Sequence, residues 1–323
     1  MDLSADIISL INATLRISTP LVFAAMAGLF AERSGVIDFG LEGKMLAAAF
    51  VAASGAHVFG SEWYGLGLAI VCCVALSMLH GFASVTHKCD QVVSCVAINI
   101  LMIGLTTALA AAWFGKQGLT PTLTDDRRFF EITLPFADTL SGIPLLGTVY
   151  SEIISGHYIF VYIAYILVPC VYWVVFKTRF GLRLRAVGEN PSAVDTAGIS
   201  VNLMRYKALA VNGVLVAFAG AYLSTAINAN FFREMSAGRG YLALAALIFG
   251  KWKPKTALIA CLLFGFTDAL QIRLQGVPLP FVGVIPVQFI QALPYVLTVV
   301  LLAGFVGKAI APSAIGQPYI KER

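Results

Sequence analysis

Residues 32–44 read Glu32-Arg33-Ser34-Gly35-Val36-Ile37-Asp38-Phe39-Gly40-Leu41-Glu42-Gly43-Lys44, five charges and three glycines set directly between two apolar runs. A bilayer core needs about 20 apolar residues per helix. The flanking runs, 8–31 and 44–60, approach that length, and further runs follow near 66–86, 92–114, 158–176, 207–228, 256–272 and 287–306, with a shorter apolar piece at 240–250. Two readings of 32–44 stay open. Its charges belong to a solvated loop, or the stretch is unwound and its backbone and carboxylates line a polar passage, since Val36, Ile37, Phe39 and Leu41 keep it partly apolar.

Composition supports a membrane protein throughout. Of 323 residues 59% are hydrophobic and only 12% charged, and the mean hydropathy is +0.85; a soluble domain carries roughly a quarter charged residues. The net charge of +5 comes from 22 Lys and Arg against 17 Asp and Glu, too sparse for a basic face, which excludes a nucleic-acid-binding module. Asp2 and Asp6 precede the first run where an export signal would be basic, so that run reads as a first span. The six cysteines show no CxxC and no metal spacing with the four histidines, and read as packing residues.

Lys and Arg accumulate on the cytoplasmic side of spans. Segment 177–207 carries Lys177, Arg179, Arg183, Arg185, Arg205 and Lys207, and the 251–255 turn carries three lysines. Placing both inside puts 87–91 and the 307–323 tail inside as well, with the N-terminus and an acidic 115–157 loop (Asp125, Asp126, Glu131, Asp138, Glu152) outside. Piece 240–250 must then cross with too few residues for a straight helix, which predicts a half-helix or broken span entered through Gly238-Arg239-Gly240. Two glycine-interrupted segments in the two halves of a chain point to an inverted repeat with the pathway between them. The expected fold is an all-α polytopic membrane bundle of about eight or nine spans, one or two of them broken, in a single domain over 1–323.

Ionisable groups within spans are candidates for a pathway. Asp268 lies in 256–272, and Arg16 lies in the first run near enough to its outer end to snorkel. Asn99, Thr106, Thr107, Asn212 and Asn228 suit interhelical hydrogen bonds. The candidate pathway residues are Glu32, Asp38, Glu42, Asn99, Gly240 and Asp268. In the inner loop Asn190 is a good N-cap, Pro191 fits the first helical position and Gly198 can take the left-handed conformation at C′, predicting a helix of about two turns. Such a helix is marginal alone. It suits the grip of a soluble motor subunit, or it is a plain connector.

Three pieces together, 32–43, Arg185-Ala186-Val187-Gly188-Glu189-Asn190-Pro191 through Ala197-Gly198-Ile199, and 238–252 (Gly238-Arg239-Gly240-Tyr241-Leu242-Ala243-Leu244 onward), resemble the permease subunits of ATP-driven importers of the branched-chain amino acid, ribose and nucleoside type, most of all the nucleoside or simple-sugar branch. The resemblance runs in order over about residues 15–306. Asp38 departs from it, since the nucleoside branch usually carries Asn there and the ribose branch Asp. The resemblance implies an inner-membrane import complex: a second permease subunit, copy or homologue, a cytoplasmic ABC ATPase and an extracytoplasmic substrate-binding protein. It implies that 190–198 is the coupling helix, with Arg185, Gly188, Glu189, Asn190, Pro191, Ala197 and Gly198 forming the ATPase contact. The chain has no GxxxxGK[ST] phosphate loop, so ATP and Mg are expected in the partner, and no cofactor or metal in this chain. An ion-coupled carrier, or a permease for another small polar solute such as an amino acid, remains as an alternative; an intramembrane enzyme lacks HExxH, GxSxG or a histidine pair.

The loops assigned inside hold thirteen basic residues and those outside six, the bias that insertion machinery reads. A reporter fused after Ile153 is therefore expected to be active only when exported, and one after Lys253 only when cytoplasmic. An exported signal at both sites would mean that 240–250 turns back without crossing.

Overall fold

The computed structural model of the chain describes residues 3–135, 150–275, 278–279, 283–284, 286–300 and 310–321. Asp138, Lys308, Arg323 and the end of the run 287–306, all used above, lie outside these. The long helices are α1 (Leu3–Arg33), α2 (Leu41–Phe59), α3 (Glu62–Gly81), α4 (Gln91–Phe114) and α5 (Ile159–Lys177). They are followed by the short α6 (Arg179–Glu189) and α7 (Pro191–Thr196), then α8 (Val201–Tyr222), α9 (Arg239–Phe249) and α10 (Pro254–Leu274). A wider π-type turn extends α3 through Phe82–Thr86 and α8 through Leu223–Ile227. Six of these helices, α1, α3, α4, α5, α8 and α10, are long and apolar enough to cross a membrane. The chain is a helical membrane bundle.

Its centre is α2. Fifteen of its 19 residues are buried, including Glu42 and Lys44, and it packs against α3, α4 and α8. Alanine and glycine dominate the helix, so neighbouring backbones come close on several sides, as packing between membrane helices favours. At Gly220 of α8 a Cβ would stand 2.2 Å from the Met45 carbonyl oxygen. On its other side α8 runs along α1, where Phe23 stacks on Phe218 at 5.5 Å and Phe160 of α5 meets Tyr222 at 5.6 Å. By contrast, α3 and α4 turn Val71, Leu79, Ile100 and Leu101 outward, the surface that acyl chains solvate.

The basic loops gather at one end. Arg33 donates to the Trp252 carbonyl at 2.8 Å, Thr86 and Tyr206 share a hydroxyl hydrogen bond, and the Ala314 amide donates to the Gly188 carbonyl at 2.9 Å. At the opposite end Arg127 donates to the His57 carbonyl and Arg128 to the Ala226 carbonyl, while Arg16 is ion-paired with Glu131 on β1 (Glu131–Ile132). That strand pairs with β2 (His157–Tyr158).

Both glycine-interrupted segments are breaks between helices. After α1 ends at the basic end, 34–40 is non-helical and α2 starts again inside the bundle. Lys44 at its start touches Cys73 and Asn212, which lie near the middle of α3 and α8. After α8 reaches the opposite end, 228–238 is irregular, with positive φ at Glu234, Ala237 and Gly238, and the eleven-residue α9 completes the crossing. The two units run in opposite senses: Arg16 meets Tyr222 at one end of the α1/α8 pair, and Ser34 meets Arg205 at the other.

One expectation changes. The run 287–306 is not one straight helix over its described part: α11 (Val287–Gln291) stops at Ala292 and α12 (Leu293–Val300) restarts beside Pro294, a residue that removes a helical N–H. Residues 115–135 fold onto the bundle: Thr120, Leu123 and Phe129 donate backbone hydrogen bonds to Phe231, Ala229 and Thr225, covering the irregular entry to α9.

Gly220→Leu forces atoms into the α2 backbone and is expected to lower stability by about 1–3 kcal/mol or to prevent folding. Gly104→Leu, at a glycine with nothing within 4 Å, is the control; thermal unfolding in detergent compares them.

Candidate translocation site

The unwound segment 34–40 lacks a regular hydrogen-bond ladder, and side chains from α3 and α4 supply one. Gln91 Oε1 accepts the Ile37 amide at 2.7 Å. His80 Nε2 lies 3.0 Å from the Ile37 carbonyl, which can only accept, so that nitrogen carries the proton; Nδ1 faces Ser94 Oγ at 3.1 Å. Asn99 Nδ2 donates to the Phe39 carbonyl at 3.0 Å and to Tyr241 Oη at 2.9 Å, while its Oδ1 accepts the Gly43 amide at 2.8 Å. One amide side chain thus closes both sides of the break. Gly43 permits this, because a Cβ there would stand 2.7 Å from Asn99 Cα.

Asp38 and Lys44 form an ion pair at 2.7 Å with both side chains fully buried. Asp38 Oδ1 also takes the Gly40 amide at 3.1 Å, and Asn212 Oδ1 lies 3.3 Å from Lys44 Nζ and 3.2 Å from Ser77 Oγ. Glu42 reaches across to the other half of the chain. Its two oxygens accept the Gly238 amide at 2.8 Å and the Gly240 amide at 2.7 Å, the orphan donors at the start of α9. A Cβ on Gly240 would stand 2.6 Å from the Glu42 nitrogen, so only glycine allows this approach.

Of the six candidate pathway residues, Asp38, Glu42, Asn99 and Gly240 are therefore brought together at the meeting of the two breaks. Glu32 is apart, nearer the basic end, where its carboxylate accepts the Trp252 indole N–H. Asp268 is half-buried on α10 in the field of Arg239, with no hydrogen bond among the described residues. None of Glu32, Asp38 and Glu42 faces an open channel in this structure; each is 8% exposed or less and bound internally. Tyr241 of α9 is 48% exposed, and Arg239 and Asp268, close enough to interact, are partly exposed.

Asp38, His80 and Cys95 place ligand atoms within 4.8 Å of one another, the one such group among the described residues. It does not suit a cation: Lys44 already neutralises Asp38, and both His80 nitrogens are engaged.

Residues 10–311 match the family described as branched-chain amino acid transport system / permease component. The chain belongs to that permease family. It is 38% identical to the guanosine ABC transporter permease protein NupQ of Bacillus subtilis over 99% of both chains. It is 37% identical to the nucleoside ABC transporter permease protein NupC of Lactococcus lactis over 95% of both. Among solved structures, an inward-facing ABC transporter of the metal-chelate type is similar at 15% identity, covering 91% of this chain and 84% of its own, with a TM-score of 0.48.

The permease's short helix forms as its punctuation requires. Asn190 Oδ1 accepts the Ala193 amide at 3.1 Å, Pro191 opens α7, and Gly198 has φ +78°. Val194 is buried and anchors it, whereas Ser192, Ala193, Thr196, Ala197 and Gly198 are exposed. Of the other coupling candidates, Arg185 donates to the Val175 carbonyl and lies over Phe176, Gly188 is buried, and the exposed Glu189 accepts from Ser313. Sequence reasoning missed Lys44, Asn212 and His80 as partners of Asp38. Lys44 was legible in principle, six residues from Asp38 at the start of a span that would otherwise bury its charge alone.

Lys44→Met leaves Asp38 buried without a counter-charge and is expected to cost about 3–5 kcal/mol, whereas Asp38→Asn with Lys44→Met together costs much less. Thermal unfolding of the three variants measures the difference.

Proposed function

We propose that this permease is the transmembrane subunit of an ATP-driven importer of nucleosides, paired with a second permease, a cytoplasmic ATPase and a binding protein on the far side. The observation that carries the ATP-driven reading is α7. It is a capped helix at the basic end whose outer face is exposed, on a chain without a phosphate loop of its own; an ion-coupled carrier needs no such docking surface. The resemblance of the whole chain to relatives named for guanosine and nucleosides supports the cargo class.

In this reading the passage runs beside the junction of the two breaks, along the side that presents Arg239, Tyr241 and Asp268, and the second permease closes it. Asp38, Glu42, Asn99 and Gly240 hold the junction's shape behind that face, and Glu32 fixes the Trp252 turn. Asp38 departs from the nucleoside pattern, but its carboxylate is taken by Lys44, so it speaks to packing and not to cargo. The basic end faces the cytoplasm, with the C-terminus inside and the N-terminus outside.

Uptake of labelled guanosine by cells carrying the complete system should stop when the ATPase's phosphate-loop lysine is replaced, and should persist under an uncoupler while cellular ATP is maintained. Uptake that survives loss of the ATPase and collapses with the uncoupler would establish the carrier reading instead. Competition by unlabelled adenosine but not by leucine or ribose is the expected cargo pattern.

A further inference from the structure

Arg205, on the first turns of α8, is fully buried, yet no carboxylate pairs with it among the described residues. Its Nε donates to the Ser34 carbonyl at 3.3 Å, and both terminal nitrogens lack a hydrogen-bond partner among the described residues. A guanidinium carries five donors and stays charged, so burying it half-satisfied is unfavourable. It sits where three chain segments cross. A Cβ on Gly35, which has φ +84°, would stand 3.2 Å from Arg205 Nη2 and 3.0 Å from the Ala314 carbonyl oxygen. A Cβ on Gly188 would stand 2.3 Å from the Arg33 carbonyl oxygen.

The third segment is the tail. Ala314 donates to the Gly188 carbonyl at 2.9 Å and Gly316 to the Gly35 carbonyl at 3.0 Å. Ser313 Oγ donates to Glu189 at 2.9 Å, and Lys321 lies 3.7 Å from Asp195 of α7. The tail over 312–321 therefore bonds to the end of α6 and to the start of the break that carries Asp38 through its turn at 312–316, and to α7 through Lys321.

We propose that this joint, with Arg205 as its positioning residue, transmits movement of α6 and α7 to the break at 34–40, and that the tail is part of the coupling apparatus. The inference rests on the ATPase docking at α7. Backbone-to-backbone contact at Gly188 and Gly35 leaves no slack, so a displaced α6 must carry residues 33–35 with it. Arg205 supplies the second requirement, a reason for two positions. Its terminal donors have no partner among the described residues, so a shifted 34–35 or 314 that offers them carbonyl acceptors is the second arrangement.

The test uses the complete transporter in lipid vesicles, with guanosine as cargo, measuring uptake, ATP hydrolysis with and without loaded binding protein, and melting temperature. Arg205→Met removes a buried unpaired charge, so a purely structural residue would give an unchanged or higher melting temperature and normal transport. The proposal instead expects the melting temperature to hold while guanosine moved per ATP falls by about tenfold or more, with Arg205→Lys recovering part of the loss. Truncation after Ala309 should likewise leave an assembled complex that hydrolyses ATP, but reduce its stimulation by the loaded binding protein by about fivefold or more. Transport and stimulation within about twofold of native in both variants would overturn the proposal. Failure of both variants to assemble would overturn it too, by making the joint a folding element. Should the native complex itself show no ATP-dependent uptake, the importer reading fails, which is a separate result.

Discussion

The Glu42 carboxylate, holding the Gly238 and Gly240 amides at 2.8 and 2.7 Å, is the contact that lets the chain be broken twice inside a membrane. A helix that starts within the bundle exposes its first N–H groups where no water reaches them, and each unsatisfied group costs about 1–3 kcal/mol. A carboxylate answers two donors at once and also opposes the positive end of the α9 dipole. Because Glu42 stands in the first turn of α2, the same residue is near the start of the other restarted helix. The two breaks are consequently not independent features. Each restarts where the other can complete it.

A buried carboxylate junction places charge in the core, and Asp38 and Lys44 show how that is tolerated. Their 2.7 Å pair is fully buried, an arrangement that contributes little net stability against a well-packed apolar pair but is costly to break on one side. Its effect is positional. Lys44 lies on α2 and Asp38 on the break before it, so the pair fixes how far 34–40 folds back before the helix begins. Asn99 fixes the same distance from α4 by holding Phe39 and Gly43 together. This redundancy explains how a non-helical stretch with two glycines keeps one shape.

Legibility in the sequence followed the range of the interactions. Helix α7 was readable residue by residue because Asn190, Pro191 and Gly198 act on backbone within a few positions of themselves. The half-helix was readable from length alone, since eleven residues span only about half a bilayer. What joined these pieces was not. Glu42 and Gly240 are 198 positions apart, and Arg205 and Ser34 are 171; no local pattern announces such pairs. The reading of Glu32, Asp38 and Glu42 as residues lining a passage weighed their charge against the bilayer but not against each other's neighbours. In the structure every one of them has an internal partner, whereas Tyr241 is exposed and Arg239 and Asp268 are partly so.

An Arg or Asp near the centre of a lipid-facing helix is unfavourable by about 2.5–3.5 kcal/mol, so the partly exposed Arg239 and Asp268 suit water or another protein surface better than acyl chains. The exposed Tyr241 links the surface of α9 to the interior, because its hydroxyl accepts from the Asn99 amide that closes the break at Phe39 and Gly43. A rearrangement of 34–40 must therefore release Asn99 from Phe39, or carry Asn99 with it and so move Tyr241 or break its bond. The exposed Tyr241 is tied to the break only through Asn99.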